Sequence, residues 1–220
     1  MDAATFVEQL GNRNAEVLDR LAPAETLVAE SGGDLRLENL LKIALRNEME
    51  ATEIAARWLT STADVDTKLA LARQAGDEAK HYRLIADHLQ QQFGVDLSDF
   101  DPLAQGFGPL TAYLDTLEET VERVAAGQFT RESIAVVKNQ QFIDYCERYG
   151  HTATAALYRD TIQPDEAYHH QLGRQLLLRL ATTPEAQERA TQAAQRTLEL
   201  AEELQHLALT KMGVHHAPGC

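Results

Sequence analysis

Two short segments of the sequence place a glutamate and a histidine three residues apart within a shared pattern. Residues 77–84 read DEAKHYRL and residues 165–172 read DEAYHHQL, so five of the eight positions are identical. On an α-helix, residues three apart lie on the same face, so each segment can offer one cation a carboxylate oxygen and an imidazole nitrogen. The spacing therefore predicts two ligand pairs, which are Glu78 with His81 and Glu166 with His169.

Both pairs continue apolar stripes of their helices. The first stripe contains Leu71, Ala75, Ile85 and Leu89, and the second contains Ala155, Ile162, Gly173 and Leu176. Because an unpaired buried carboxylate is costly, cations or protons must neutralise these glutamates. A third pair, Glu203 with His206, lies in a polar stripe and is predicted to be solvated surface.

A further carboxylate is expected from the helix that precedes the first pair. Glu48 lies in an apolar stripe, whereas Glu50 and Glu53 fall among polar residues. Glu48 precedes Glu78 by 30 residues, and the turn between their helices is predicted near residue 63, midway between them. An antiparallel hairpin therefore brings these two glutamates to the same level.

The same rule selects a carboxylate for the second pair. With a turn near Gly150, the partner of Glu166 is expected close to residue 134, and Glu132 is the nearest carboxylate. Glu132 also lies near the predicted start of its helix, where an acidic side chain stabilises the helix dipole without any metal. Both interpretations of Glu132 remain open at this point.

The stretches that carry these residues are rich in strong helix formers, which predicts an all-α chain. The predicted helices cover residues 3–21, 35–60, a span from a cap at Thr62 or Asp64 to Gly94, then 109–126, 130–150, 151–181 and 184–213. Two short links and one long connection are typical of a four-helix bundle with one crossover. We expect a single domain over residues 1–220, with the bundle at about 35–181 and extra helices at both ends and in the crossover.

Composition excludes several classes of protein. The 220 residues carry 34 acidic and 20 basic side chains, a formal charge of −14, which argues against a nucleic-acid partner. The two cysteines, Cys146 and Cys220, form no disulfide framework and favour a reducing compartment. The sequence shows neither a long apolar run nor a secretory signal at its start, so we expect a cytoplasmic protein without a membrane partner.

The Glu-x-x-His pairs and single glutamates resemble those of the ferritin-like di-iron carboxylate proteins. The resemblance covers about residues 35–181 and implies two iron ions, with manganese as an alternative. The implied ligands are Glu48, Glu78, His81, Glu132, Glu166 and His169. Asp77 and Asp165 would accept hydrogen bonds from the histidine of the opposite motif, although both are equally compatible with ordinary surface charge.

Within that family, the 54 residues from Glu78 to Glu132 resemble the crossover of compact di-iron oxygenases and oxidases more than that of cage ferritins. This branch implies an oxidoreductase that uses O2 or peroxide on a small-molecule substrate, with an electron donor, and it is compatible with a homodimer. The alternatives are a non-catalytic iron-handling protein, a hydroxylase of the tRNA-modifying branch, and a metal-free helical partner subunit whose glutamates pair with arginines.

Four other residues are of interest near this predicted site. Tyr82, Tyr158 and Tyr168 lie within reach as redox or hydrogen-bonding groups, although packing is the commoner role of such tyrosines. Pro164 precedes Glu166 by two residues and either kinks its helix, opening space at the metals, or marks a restart that leaves the residue before it outside the helix.

Overall fold

The computed structural model describes residues 1–22, 27 and 36–210, with side chains described as far as residue 207. Residue 35, where the second helix is predicted to begin, residues 211–213 at the end of the last predicted helix, and Cys220 lie outside these residues. Every regular element in the described part is helical, which confirms the all-α prediction. None of the helices described there is both long and apolar enough to cross a bilayer.

Seven helices follow one another along the described chain. They are α1 (Ala3–Leu21), α2 (Leu37–Ser61), α3 (Val65–Phe93), α4 (Pro109–Asp115), α5 (Thr120–Val124, the π-helical segment Ala125–Arg131 and Glu132–Arg148), α6 (Thr152–Leu157, the π-helical segment Tyr158–Ile162 and Gln163–Leu180) and α7 (Pro184–Thr210). The four helices α2, α3, α5 and α6 carry the predicted ligands.

Helices α2 and α3 pack along each other and are joined by a short turn. Of the two predicted caps for α3, Asp64 is the one that acts, because its carboxylate accepts the backbone N–H of Thr67 at 2.8 Å. The helix ends at Gly94, whose φ of 65° is the left-handed conformation expected of a C-terminal glycine.

The connection after α3 is fixed by a glutamate that sequence analysis had placed on a polar face. Glu50 is 4% exposed and accepts hydrogen bonds from the Gly108 backbone N–H at 2.9 Å and the Thr111 hydroxyl at 2.5 Å. Arg46 donates to the same carboxylate at 2.8 Å. The prediction for Glu50 was wrong because Gly108 and Thr111, which bury it, lie about sixty residues away in the chain. Helix α4 begins at Pro109 as predicted but ends at Asp115 rather than residue 126.

Helix α5 begins ten residues earlier than predicted. Glu119 caps it in a reciprocal capping box with Glu122, so its first helical residue is Thr120 and not Thr130. Glu132 therefore lies more than three turns inside the helix, and its backbone N–H donates to the Gly127 carbonyl across the π-helical segment. The alternative role of Glu132 at a helix start is thereby removed.

Helix α6 runs continuously past Pro164, so the predicted restart that would leave Gln163 outside the helix does not occur. Proline lacks an N–H and its ring crowds the carbonyl four residues earlier, which disfavours a regular α-turn. The π-helical segment Tyr158–Ile162 directly precedes this position, and the Gln163 N–H donates to the Tyr158 carbonyl five residues back. We attribute the wide turn to the proline.

Two glycines allow helices to approach the π-helical segment of α5 closely. A Cβ at Gly173 in α6 would lie 2.6 Å from the backbone of Gln128 and Phe129, and one at Gly127 would lie 2.7 Å from the ring of Trp58. Two apolar clusters, one containing Phe129 and the other Trp58, surround this region, and Cys146 is fully buried in a third. The glycines thus set how near α2, α5 and α6 come to one another.

Candidate metal centre

The six predicted ligands come together in one buried cluster. Two overlapping groups form it, Glu48, Glu78, His81 and Glu166, and then Glu78, Glu132, Glu166 and His169. Within each group the donor atoms lie within 4.8 Å of one another. Each of the six residues is at most 6% exposed. Glu78 and Glu166 belong to both groups, so they lie between two neighbouring positions for a cation.

His81 faces carboxylates with both ring nitrogens. Its Nδ1 lies 3.2 Å from Glu78 Oε2, 3.4 Å from Glu48 Oε2 and 3.6 Å from Glu166 Oε1. Its Nε2 lies 3.1 Å from Asp165 Oδ2, on the outer side of the cluster.

His169 repeats this arrangement at the other end. Its Nδ1 lies 3.3 Å from Glu166 Oε2, 3.5 Å from Glu78 Oε1 and 4.0 Å from Glu132 Oε2. Its Nε2 lies 3.1 Å from Asp77 Oδ2. Each aspartate therefore contacts the histidine of the opposite motif.

This geometry fits a cation at each end. An ionised aspartate only accepts hydrogen bonds, so the Nε2 of each histidine carries the proton that it donates outward. In a neutral ring the Nδ1 lone pair then points at three carboxylates, which are themselves acceptors, and a shared cation resolves that conflict. Two ligands on opposite sides of a small divalent ion lie about 4.2 Å apart, close to the separations within each group.

The cluster carboxylates differ from one another in the direction of their pKa shifts. Burial raises the pKa of Glu48 to about 7 and that of Glu166 well above its usual range. Burial also acts on Glu78, but the hydrogen bond from His81 and the charge of His169 outweigh it and lower its pKa to about 2. Protons on Glu48 and Glu166 thus relieve the repulsion of four buried carboxylates.

The histidines hold protons for a related reason. Burial disfavours the imidazolium of His81, yet its hydrogen bonds to Glu48 and Glu78 raise the pKa to about 12. The pKa of His169 rises to about 10 against the same burial, through the hydrogen bond to Glu166 and the charges of the other cluster glutamates. A metal ion must displace such protons, because the ligating forms are neutral imidazole and carboxylate.

The two outer aspartates are themselves paired at the surface. Arg73 donates to Asp77 at 3.2 Å, and Lys80 donates to Asp165 at 2.8 Å. Burial raises the pKa of Asp165, but the hydrogen bonds from Lys80 and His81 outweigh it and lower that pKa. An ionised Asp165 is the acceptor that fixes the outward proton of His81.

Four residues at the cluster were missed by sequence analysis. Gln74 donates to Glu132 Oε1 at 2.6 Å, Gln128 donates to Gln74 at 2.8 Å, and Arg131 donates to Glu132 Oε1 at 3.2 Å. Asn47 borders the same space. Gln74 lies one turn before Glu78 on the same helix face, and Arg131 lies beside Glu132 in the predicted helix 130–150, so both positions could have been noticed. Gln128 could not, because it lies before the predicted start of that helix.

The three predicted tyrosines lie in different environments. Tyr158 is 1% exposed and packs edge-on against Phe142 at 4.8 Å, and Tyr82 is partly buried beside the same apolar cluster. Tyr168 is 40% exposed and lies beneath the Arg73 guanidinium at 3.8 Å. Among the described residues, no hydrogen bond joins any of these hydroxyls to a cluster carboxylate.

The open space beside the cluster is small. The cavity bordered by Asn47, Glu48, Glu78, Arg131, Glu132, Ala135 and Glu166 has a volume of about 10 Å³. This is close to the space needed for a single water molecule.

The third Glu-x-x-His pair stands apart from this cluster. Glu203 and His206 are exposed on α7, and Glu203 accepts a hydrogen bond from Arg196 at 2.8 Å. The prediction of a solvated surface pair is confirmed.

Comparison of the chain with protein-family models, with curated proteins and with solved structures found no match.

Proposed function

We propose that this protein is a ferritin-like di-iron, or mixed manganese and iron, carboxylate oxidoreductase. The observation that carries the proposal is the pair of inward Nδ1 atoms, those of His81 and His169, each facing three carboxylates. The donor set of carboxylates and imidazoles suits iron or manganese better than metals that prefer thiolate. Four cluster carboxylates would balance the charge of two divalent ions.

The architecture that we propose for this site is a four-helix bundle with one long crossover. Helices α2 and α5 each contribute one glutamate, and α3 and α6 each contribute a Glu-x-x-His pair. The segment from Gly94 to Glu119, which contains α4, would then be the crossover between the two helix pairs. This is the ligand pattern of ferritin-like di-iron proteins.

When bound, the two ions would supply the electrons that reduce O2 or peroxide. The chain's own part is to hold the ligands before any ion arrives. Asp77 and Asp165 fix which nitrogen of each histidine points inward, while the burial of the cluster excludes bulk water.

The cavity of about 10 Å³ supports a small oxidant as the molecule that reaches the ligands directly. An organic substrate would need space beyond this cavity. The same observation favours a second candidate function, a non-catalytic iron-handling protein in which no organic substrate approaches the ions. Neither function uses nucleic acid, in keeping with the net charge of −14.

Single-turnover oxidation separates these two functions. The full chain is loaded anaerobically with two equivalents of Fe²⁺ and mixed with O2 or hydrogen peroxide, and absorbance and consumed oxidant are followed. The oxidoreductase should oxidise its iron rapidly, form no mineral core when more Fe²⁺ is added, and regain its ferrous form with a reductant. Growth of a mineral core would instead support iron handling, and iron that binds without faster oxidation than free Fe²⁺ would contradict an oxidase.

A further inference from the structure

The two ends of the cluster occupy matching positions in the sequence but contain different residues. An offset of 88 residues relates Glu78 to Glu166, and an offset of 84 relates Glu48 to Glu132. Under the first offset Gln74 corresponds to Ile162, and under the second Arg131 corresponds to Asn47 and Gln128 to Ala44. The end with His169 thus has an arginine and two amide side chains, where the end with His81 has one amide and two apolar side chains.

At the end that contains His169, one oxygen of Glu132 is already engaged. Glu132 Oε1 accepts from Gln74 at 2.6 Å and from Arg131 at 3.2 Å. Gln128 in turn fixes the Gln74 amide, through a hydrogen bond of 2.8 Å between the two side chains. All four side chains are buried, and only Glu132 Oε2 is left without a hydrogen-bond partner among the described residues.

At the end that contains His81, Glu48 has no such restraint. In the part of the chain that the structure describes, no lysine or arginine pairs with the Glu48 carboxylate, whose contact is with His81 at 3.4 Å. Ile162 and Ala44 are both buried and apolar, and they replace the two glutamines of the other end. Among the described side chains, Glu48 thus has none of the amide or guanidinium hydrogen bonds that hold one oxygen of Glu132.

We propose that the two metal positions are unequal, and that the position beside His81 fills first and holds its ion more tightly. This inference rests on the proposed function. The Arg131 charge repels a cation beside His169, and Glu132 can offer that cation one oxygen only. Arg131 and Gln74 act as positioning residues through Glu132, and they make the His169 position the weaker and more readily exchanged of the two.

Titration of the metal-stripped full chain with Mn²⁺ tests the proposal, with free Mn²⁺ followed by its EPR signal. We expect two binding steps whose dissociation constants differ by about tenfold or more. In crystals given one equivalent of Mn²⁺, the anomalous signal should lie beside His81. Two steps of equal affinity, or a signal divided evenly between the two positions, would overturn the proposal.

Arg131→Asn gives the end with His169 the asparagine that the end with His81 has at the matching position, Asn47. It should tighten the second step by about tenfold and leave the first nearly unchanged. Arg131→Lys keeps the charge and should preserve the gap. The control is Arg189→Asn, the same substitution at an exposed arginine of α7, which should change neither step. If Arg131→Asn weakens both steps alike, or leaves the gap as it was, Arg131 has only a structural role and the proposal fails.

The outcomes separate this inference from the function on which it rests. A folded chain that binds no Mn²⁺ in the cluster contradicts the metal centre itself. Two equally bound ions contradict the inequality and leave the centre in place. If Arg131→Asn does not fold, Gln74→Ile carries the same test, because it removes the shorter of the two hydrogen bonds to Glu132 Oε1 without changing the charge. It should also tighten only the second step, by less than Arg131→Asn does.

Discussion

The Glu78–His81 pair and the Glu203–His206 pair have the same spacing but opposite surroundings. Glu78 is 1% exposed and lies among three other carboxylates, whereas the Glu203 side chain is 55% exposed and pairs with Arg196. The spacing puts two donor atoms on one face of a helix in both cases. What differs is whether other helices bring further donors to that face, which depends on burial and on packing.

The largest effects should come from removing ligands of the buried pairs. Glu78 belongs to both donor groups and Glu48 to one. We expect Glu78→Ala to lose both ions and Glu48→Ala to lose one, measured as metal per chain after gel filtration. Glu203→Ala is the matched control and should keep the wild-type content. Metal loss in the control, or none in Glu78→Ala, would erase the distinction between the two regions.

The pH dependence of metal binding should be steep at the buried pairs. The pKa of His81 is raised to about 12 and that of Glu48 to about 7, so both groups hold protons near neutral pH that an ion must displace. Affinity should therefore increase with pH, by roughly a hundredfold per unit below pH 7, where both protons leave, and by roughly tenfold per unit above it, where Glu48 is already ionised. Calorimetry in buffers of different ionisation enthalpy counts these protons. A pH-independent affinity between pH 6 and 8 would count against ligation by these groups.

How far the sequence predicts the site depends on the range of the contacts involved. Glu48 and Glu78 were paired correctly because helix periodicity and a hairpin turn are local features. The predicted start of α5 was wrong because a glycine at residue 127 resembles a helix break. The structure shows that Gly127 lies inside the helix and makes room for Trp58, nearly seventy residues away. Glu50 was misassigned for the same reason, since its partners lie in the distant crossover.

Loss of an outer aspartate should weaken binding less than loss of a ligand. Asp165 fixes the outward proton of His81, so Asp165→Ala should reduce metal affinity by about tenfold to a hundredfold. Asp160→Ala removes an exposed carboxylate from the same helix and should change the affinity little. Equal affinities in the two variants would show that Asp165 is only a surface charge.

The smallest effect concerns the packing that brings the helices together. A Cβ at residue 173 would lie 2.6 Å from the α5 backbone, so Gly173→Ala should lower the free energy of unfolding by about 1–3 kcal/mol. Gly76→Ala meets no atom within 4 Å and should stabilise the chain by about 0.4–1 kcal/mol. Chemical denaturation measures both. A neutral Gly173→Ala would show that the close approach of α5 and α6 is not required.

The central claim is that two ions neutralise the buried carboxylates, and metal content tests it most directly. The full chain with His215→Ala and His216→Ala, so that these two histidines contribute nothing to the metal count, is loaded with Fe²⁺ or Mn²⁺ and desalted. Elemental analysis should give about two ions per chain, as the ligand pattern implies, and anomalous diffraction should place them between Glu78 and Glu166. A folded chain that retains no metal would contradict the account.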